Sequence, residues 1–408
     1  MPGRRHRALC GARRAPLRAP PVSAAAIRHA VAVIAVQRMV ALAMTAYVRG
    51  LFRVRTFGLE QLLLEPSTIL APSHRSDNDV PLLVSALAPR WTEMVAGGLP
   101  WPTFAADDHA FFRGFLAGYP ADIPLALRRA VWPIRVGGVL ERRLQCVPVR
   151  LPAQMRLVEL LRFAPEEPLD GRLPPALDAA LRRRADELGR PAPTRAGDVL
   201  DGAFADLLWT LVERDHTSNC DEIWRAHLRS AVGDFRRLVG TLRSGGVVVI
   251  FPEGELSEDG RVGPLQPGLV SLARRGRVRR VQPVAISYDP LTRGRTRAYV
   301  SIAVPIEPSP RTLERQVTSA LRRAIPLTAG QIAAAVLRDG GSSRGLYRAG
   351  AEWVRRAEAE RRPIEPLLRG HRRRLVLEQA FGQARGRGAE HDLVRRLAQE
   401  LESAHSSS

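Results

Sequence analysis

The strongest constraint on this chain is an alternation. Short β-leaning apolar runs recur along it, separated by stretches with helical periodicity. The runs are Phe52–Phe57, Ser67–Pro72, Val131–Val139, Leu144–Val149, Val247–Phe251, Val281–Ser287 and Ala298–Val304. Strands that alternate with helices favour a parallel sheet with helices on its faces. The expected fold class is therefore α/β, with a mostly parallel central sheet flanked by helices. With 408 residues and 45% hydrophobic side chains, the chain can form a sizeable core.

Two stretches break the rhythm. Residues 152–234 are rich in Arg, Ala and Leu with helical periodicity and a Pro-rich run, and are expected to be a helical insertion. Residues 311–408 are again helical and Arg-rich, and are expected to be a helical C-terminal extension. The α/β domain is then 51–151 joined to 235–310. Residues 1–25 contain no acidic residue and are expected to be a disordered basic tail.

Residues 26–50 form a mostly apolar helical pattern interrupted by Gln37 and Arg38. Arg38, Thr45 and Arg49 fall within about 40° of one another on a helical wheel. The stretch free of charges and amides is too short to span a bilayer. The expectation is an amphipathic helix on a membrane surface. Net charge is +21, and every one of the 62 basic residues is Arg. Such a surface attracts anionic lipid. Nucleic acid is not an expected partner: aromatics are only 5% and no nucleic-acid-binding motif is present. The expected location is the cytoplasm, peripheral on the inner face of the cell membrane. Three widely spaced cysteines and the absence of zinc-ligand spacing argue against disulfides and a metal site.

The chemistry concentrates where Ser67–Pro72 runs into Ser73-His-Arg-Ser-Asp-Asn-Asp79. His74 and Asp79 would lie about 140° apart in a continuous helix. At a strand-to-helix turn they can meet, the carboxylate fixing one ring nitrogen and leaving the other as a base. Asp79 is expected to cap the helix, with Pro81 in its first turn. Such a pair alone is also compatible with an ordinary core or surface histidine. Three other strand ends add to it: Val247-Val-Val-Ile-Phe-Pro-Glu-Gly254, Leu144-Gln-Cys-Val-Pro-Val-Arg150 and Gln282-Pro-Val-Ala-Ile-Ser287. In an open α/β sheet, strand ends and the loops after them build the site.

These four blocks, taken in chain order, resemble the phospholipid/glycerol acyltransferase family, of the 1-acyl-glycerol-3-phosphate acyltransferase type. The His-x4-Asp block matches at His74 and Asp79, with Ser76 in pattern. The second block, a strand ending in Arg, matches loosely at Val147-Pro-Val-Arg150; Phe251, Pro252, Glu253, Gly254 and Ser257 match the third, and Pro283–Ile286 the fourth. The resemblance covers about 52–310 without the insertion. It implies transfer of a fatty acyl group from acyl-CoA or acyl carrier protein to a hydroxyl of a glycerolipid such as 1-acyl-glycerol-3-phosphate. His74 would be the catalytic base and Asp79 its orienting partner. Arg150, Ser76, Phe251, Pro252, Glu253 and Gly254 would bind substrate, Glu253 through the acceptor's hydroxyls. Backbone N–H groups near the helix start would receive the oxyanion. No bound cofactor is implied, and no nucleophile elbow, Walker-type loop or dinucleotide fingerprint occurs.

One departure bears on the acceptor. Where the family has Thr-Arg, this chain has Glu255-Leu256. The family's Arg is tied to the acceptor phosphate, and a carboxylate there repels one. Arg113, Arg150 and Arg261 are candidate replacements. Two alternatives stay open: a non-phosphorylated acceptor such as a sugar, polyol or other lipid, or a catalytically silent lipid-binding relative.

Overall fold

The computed structural model describes residues 24–105, 145–149, 154–162, 166–169, 171–200, 203–204, 207–217, 220–257 and 259–405. The expected strand Val131–Val139, most of the basic tail, Arg113 and Arg150 lie outside these residues.

Seven strands form the central sheet: β1 (Phe52–Phe57), β2 (Thr68–Pro72), β3 (Thr103–Ala105), β4 (Cys146–Val147), β7 (Val247–Ile250), β8 (Arg280–Asp289) and β9 (Thr296–Ile302). Their order is β1-β9-β8-β2-β7-β3-β4. Every neighbouring pair is parallel except β8 with β9. Residues 290–295 make that one exception, because so short a connection can only return the chain antiparallel. The sheet is thus mostly parallel, as expected.

Alternation along the strands builds two cores. Ile69, Ala71, Val248, Val281 and Ala285 face one side. The helices Asp221–Arg243, Gly268–Gly276 and Leu313–Ala324 cover it with Leu238, Leu242, Leu269, Leu272, Val317 and Leu321. Leu70, Val247, Val249, Val284 and Ile286 face the other side. There α1 (Ala24–Leu51) and α2 (Asp79–Ala96) supply Ala41, Met44, Val48, Leu83, Leu87 and Trp91. Burial on both faces explains why β7 reads as an uninterrupted Val-Val-Val-Ile run.

Three boundaries differ from expectation. The helix expected at Pro81–Leu87 extends from Asp79 to Ala96, because its apolar spacing continues through Trp91 and Met94, both buried. The residues between β4 and Cys220 are not purely helical. They include an antiparallel pair, β5 (Gln154–Arg156) and β6 (Leu211–Glu213), beside helices such as Leu157–Arg162 and Pro175–Glu187. The expected end of the insertion at residue 234 falls inside the helix Asp221–Arg243. Trp224 in its first turn packs in the insertion's core, and Leu238 and Leu242 pack under the sheet. One amphipathic helix serves both, so no composition break marks the border.

Among the described residues, no helix is long and apolar enough to cross a membrane. Helix α1 buries Gln37, Ala41, Met44 and Val48 and turns Met39 (63% exposed) and Leu42 (71% exposed) outward between Arg38 and Arg49.

Candidate active site

Parallel pairing brings the C-terminal ends of β2, β7 and β8 to one end of the sheet, where Pro72 faces Val284 and Leu70 faces Val249. The loops after these strands meet there. Ser73 fixes the junction: its N–H donates to Val284 O (2.9 Å), and its Oγ accepts from Ile286 N (2.9 Å). The chain then turns through residues 74–78 and enters α2 at Asp79.

His74 and Asp79 meet across this turn. Nδ1 of His74 lies 2.9 Å from Asp79 Oδ2. Because an ionised carboxylate only accepts, the proton on that side belongs to Nδ1, which leaves Nε2 with its lone pair. The His74 side chain is 22% exposed and that of Asp79 is fully buried. The carboxylate is well supplied with donors. Its Oδ2 also accepts from Arg75 N (2.5 Å) and Ser76 N (2.9 Å), and Oδ1 accepts from Tyr288 Oη–H (2.8 Å). Burial, and then the adjacent Asp79 charge, raise the Tyr288 phenol well above its ordinary range, so it stays a proton donor. Phe251 stacks against the imidazole, ring centroids 4.4 Å apart and tilted by 32°.

Asp79 does not cap α2. Its backbone is already helical, Asn78 stands in the cap position, and the carboxylate reaches back to the loop amides instead. This also reassigns the loop's N–H groups. Those of Arg75 and Ser76 point to Asp79, that of Asn78 to Ser76 Oγ (3.2 Å) and that of Asp79 to Ser76 O (3.0 Å). These four amides organise the turn that holds His74 against Asp79 and are not directed at an oxyanion.

Glu253 is likewise committed. It is 3% exposed, with Oε1 accepting from His74 N (2.9 Å) and Oε2 from Gly263 N (2.9 Å). The family resemblance implies that its oxygens meet the acceptor's hydroxyls. In the fold they tie the loop after β7 to the His74 loop. Ser257 N completes the tie by donating to His74 O (3.0 Å). Pro252 is buried and its carbonyl accepts from Gln266 N (2.7 Å). Gly254 has φ +77°, and a Cβ there would come 2.8 Å from Gln266 Cγ, so glycine is required. Glu255 and Leu256 both point to solvent. Arg261 is about half exposed, its Nε 3.8 Å from Asp259 Oδ2.

The sequence reading missed Tyr288, Asn78 and Tyr47, whose Oη–H donates to Asn78 Oδ1 (2.9 Å). A signal for Tyr288 existed. It continues the even-numbered face of β8 after Val284 and Ile286, which is the face toward α2.

Residues 206–287 match the family model described as "Acyltransferase". The matched segment contains the Phe251–Gly254 and Pro283–Ile286 blocks. No curated protein matches the chain. Among solved structures, the chain is similar to the 1-acyl-sn-glycerophosphate (LPA) acyltransferase PlsC from Thermotoga maritima. The identity is 15% and the TM-score 0.34, over 72% of this chain and 81% of that one.

Proposed function

We propose that this chain, a member of the acyltransferase family, moves a fatty acyl group from a thioester to a hydroxyl of a glycerolipid acceptor such as 1-acyl-glycerol-3-phosphate. Coenzyme A or acyl carrier protein would carry the donor. The observation that carries this is the His74–Asp79 pair, fixed at Nδ1 and without a partner at Nε2 among the described residues. In the reaction, Nε2 takes the acceptor's hydroxyl proton as its oxygen bonds to the thioester carbonyl carbon. The tetrahedral adduct then collapses, the C–S bond breaks, and the sulfur leaves with the proton that His74 held. The Asp79 carboxylate balances the transient imidazolium. Phe251 supports one face of the ring, and Ser76, Pro252 and Gly254 shape the loops around it. Direct attack on the thioester requires no resident cofactor.

The acceptor could also lack a phosphate. The solvent-facing Glu255-Leu256 pair favours that alternative, since it offers no cation where the family has one. Arg261 is the described arginine closest in sequence to supply it. Purified protein given acyl-CoA, with phosphorylated and non-phosphorylated acceptors in parallel, distinguishes the two by thiol release. His74→Ala should slow release about 10²–10⁴-fold with the true acceptor. Equal release by wild type and variant with every acceptor would sink the catalytic role. The exposed apolar stripe of α1 between two arginines supports a membrane surface as the working location. Protein lacking residues 1–50 should then sediment less with anionic vesicles, and unchanged sedimentation would overturn that placement.

A further inference from the structure

A groove of about 620 Å³ runs between the segment after β9 and the helix Leu313–Ala324. Sites for small molecules commonly span about 300–1,000 Å³. The floor is residues 302–306, and β8 holds it in place. Ala303 N donates to Pro283 O (3.0 Å), and Val281 and Ile306 exchange hydrogen bonds (2.8 and 2.7 Å). Gln282 Nε2 also donates to Ala303 O. Ile302 pairs with Val284, whose carbonyl receives Ser73 N, whereas Ile306 pairs with Val281, beside Ile69. The floor therefore starts level with the root of the His74 loop. It runs away from that loop, toward the N-terminal ends of β2 and β8.

The helix wall is a single stripe. Arg315, Ser319 and Arg323 recur every four residues, and the small Ala320 and Ala324 beside them leave the space open. Arg361 lines the groove from the turn after the helix Ser343–Ala359. Its φ is +54°, at a helix end where glycine is usual. None of these three arginines makes an ion pair among the described residues, and the carboxylate in the lining, Glu360, is taken by Arg356 (2.9 Å). Ser301 lines the groove as well. It alternates with Val300 and Ile302, which face the α2 side, so its side chain turns toward the helix Leu313–Ala324. Ser301 is 1% exposed, and its Oγ is buried with no hydrogen-bond partner among the described residues. Buried hydroxyls are nearly always paired, so an unpaired one in the wall of a cavity points to a ligand.

We infer that this groove is a second binding site, separate from the His74 site, for a small phosphate-bearing molecule with an apolar body, either a nucleotide or a lipid phosphate. Arg315, Arg323 and Arg361 hold the phosphate, since guanidinium forks match its oxygens and three unpaired cations suit a dianion. The apolar body lies on the floor of Ile302–Ile306. The Ser301 hydroxyl meets a polar atom of that body. The floor is pinned to β8 by hydrogen bonds, so the site is formed before the ligand arrives. The inference does not depend on acyl transfer, because it concerns binding at a place other than His74.

The test is calorimetric binding to full-length protein at low salt, with inorganic phosphate, AMP and monomeric dihexanoyl phosphatidate as probes. We expect phosphate to bind weakly and one larger probe to bind about tenfold more tightly or better, because only the larger probes cover the floor. Tighter AMP identifies a nucleotide site, and tighter phosphatidate a lipid-phosphate site. The double variant Arg315→Ala/Arg323→Ala should weaken the favoured probe about 10²-fold, roughly tenfold for each guanidinium. Ser319→Phe fills the groove and keeps its charges, and should remove that probe's advantage over phosphate. His74→Ala should leave all three affinities unchanged. Wild-type affinity in the arginine variant would overturn the inference, and so would equal affinity for the three probes. Loss in the arginine variant with none in Ser319→Phe would also overturn it, by showing attraction to surface charge alone. If Ser319→Phe does not fold, Ala303→Phe on the floor decides in its place. Thiol release plays no part, so the result stands whether or not acyl transfer is observed.

Discussion

The insertion and the C-terminal helices look alike as sequence, both Arg-rich and helical, yet they join the sheet by different physics. The insertion packs Met155, Leu157, Leu181 and Leu208 into a core of its own and reaches the sheet through the helix Asp221–Arg243. The C-terminal helices also have an apolar core, including Leu346, Leu377 and Leu401. Beyond the apolar packing of Leu313–Ala324 under the sheet, however, their joint with the strands is polar and buried: Asp289 with Gly330 and Arg297 with Glu365. Apolar contacts tolerate sliding, whereas a buried hydrogen bond is satisfied in few geometries and costs free energy in the rest. A polar joint therefore fixes one register, and this one starts at Asp289, next in sequence to the Tyr288 that donates to Asp79.

The comparison can be broken by cutting each unit in its own way. The largest effect on stability should come from Leu181→Ala in the insertion, where a fully buried leucine is lost. We expect a cost of about 2–5 kcal/mol in chemical denaturation, with kcat unchanged. A fall in kcat beyond that explained by unfolding would place the insertion in the site as well. Gly330→Ala should cost about 1–3 kcal/mol by forcing the helix start off Asp289, and here kcat should fall too. Full activity in folded Gly330→Ala would erase the distinction between the two joints.

The smallest effect at neutral pH belongs to His405, inside the C-terminal unit. Its Nδ1 donates to Leu401 O (2.8 Å), its Nε2 accepts from Arg362 Nη1 (2.6 Å), and Trp353 packs on the ring. Burial, and then the Arg362 charge, hold its pKa down at about 4. A depressed folded-state pKa means that this contribution is complete above the ordinary histidine value of about 6.5. It is lost as pH falls toward about 4. Thermal melts from neutral to acid pH should fall less steeply in His405→Gln than in wild type. Glu365, raised to about 7 by burial, has the opposite slope, losing stability as pH rises through that range. It is present in both proteins and cancels. Parallel melting curves would show that His405 is accessible to protons in the fold.

Much of the sheet was legible because its information is local. Phe52–Phe57 carries its strand signal within six residues and has those bounds in the structure. His74 and Asp79 sit close in sequence at a turn the pattern announces. Glu253 was visible as a glutamate at a strand end, but its partners were not, since His74 lies 179 positions away. Tyr288 is 209 positions from Asp79. The insertion's border was invisible because the helix Asp221–Arg243 has no change of composition where its packing changes.

The sequence by itself determined the alternation of strands and helices, the mostly parallel sheet and the placement of a His–Asp pair at a strand-to-helix turn. Each follows from side-chain periodicity and short-range turn chemistry. Only the tertiary structure decided what surrounds that pair. Tyr288 secures Asp79, Glu253 ties two loops together, and Asp289 receives the start of the helix Ala329–Arg338. Those choices depend on which strand ends become neighbours and which buried polar groups must then find partners, and no local pattern encodes either.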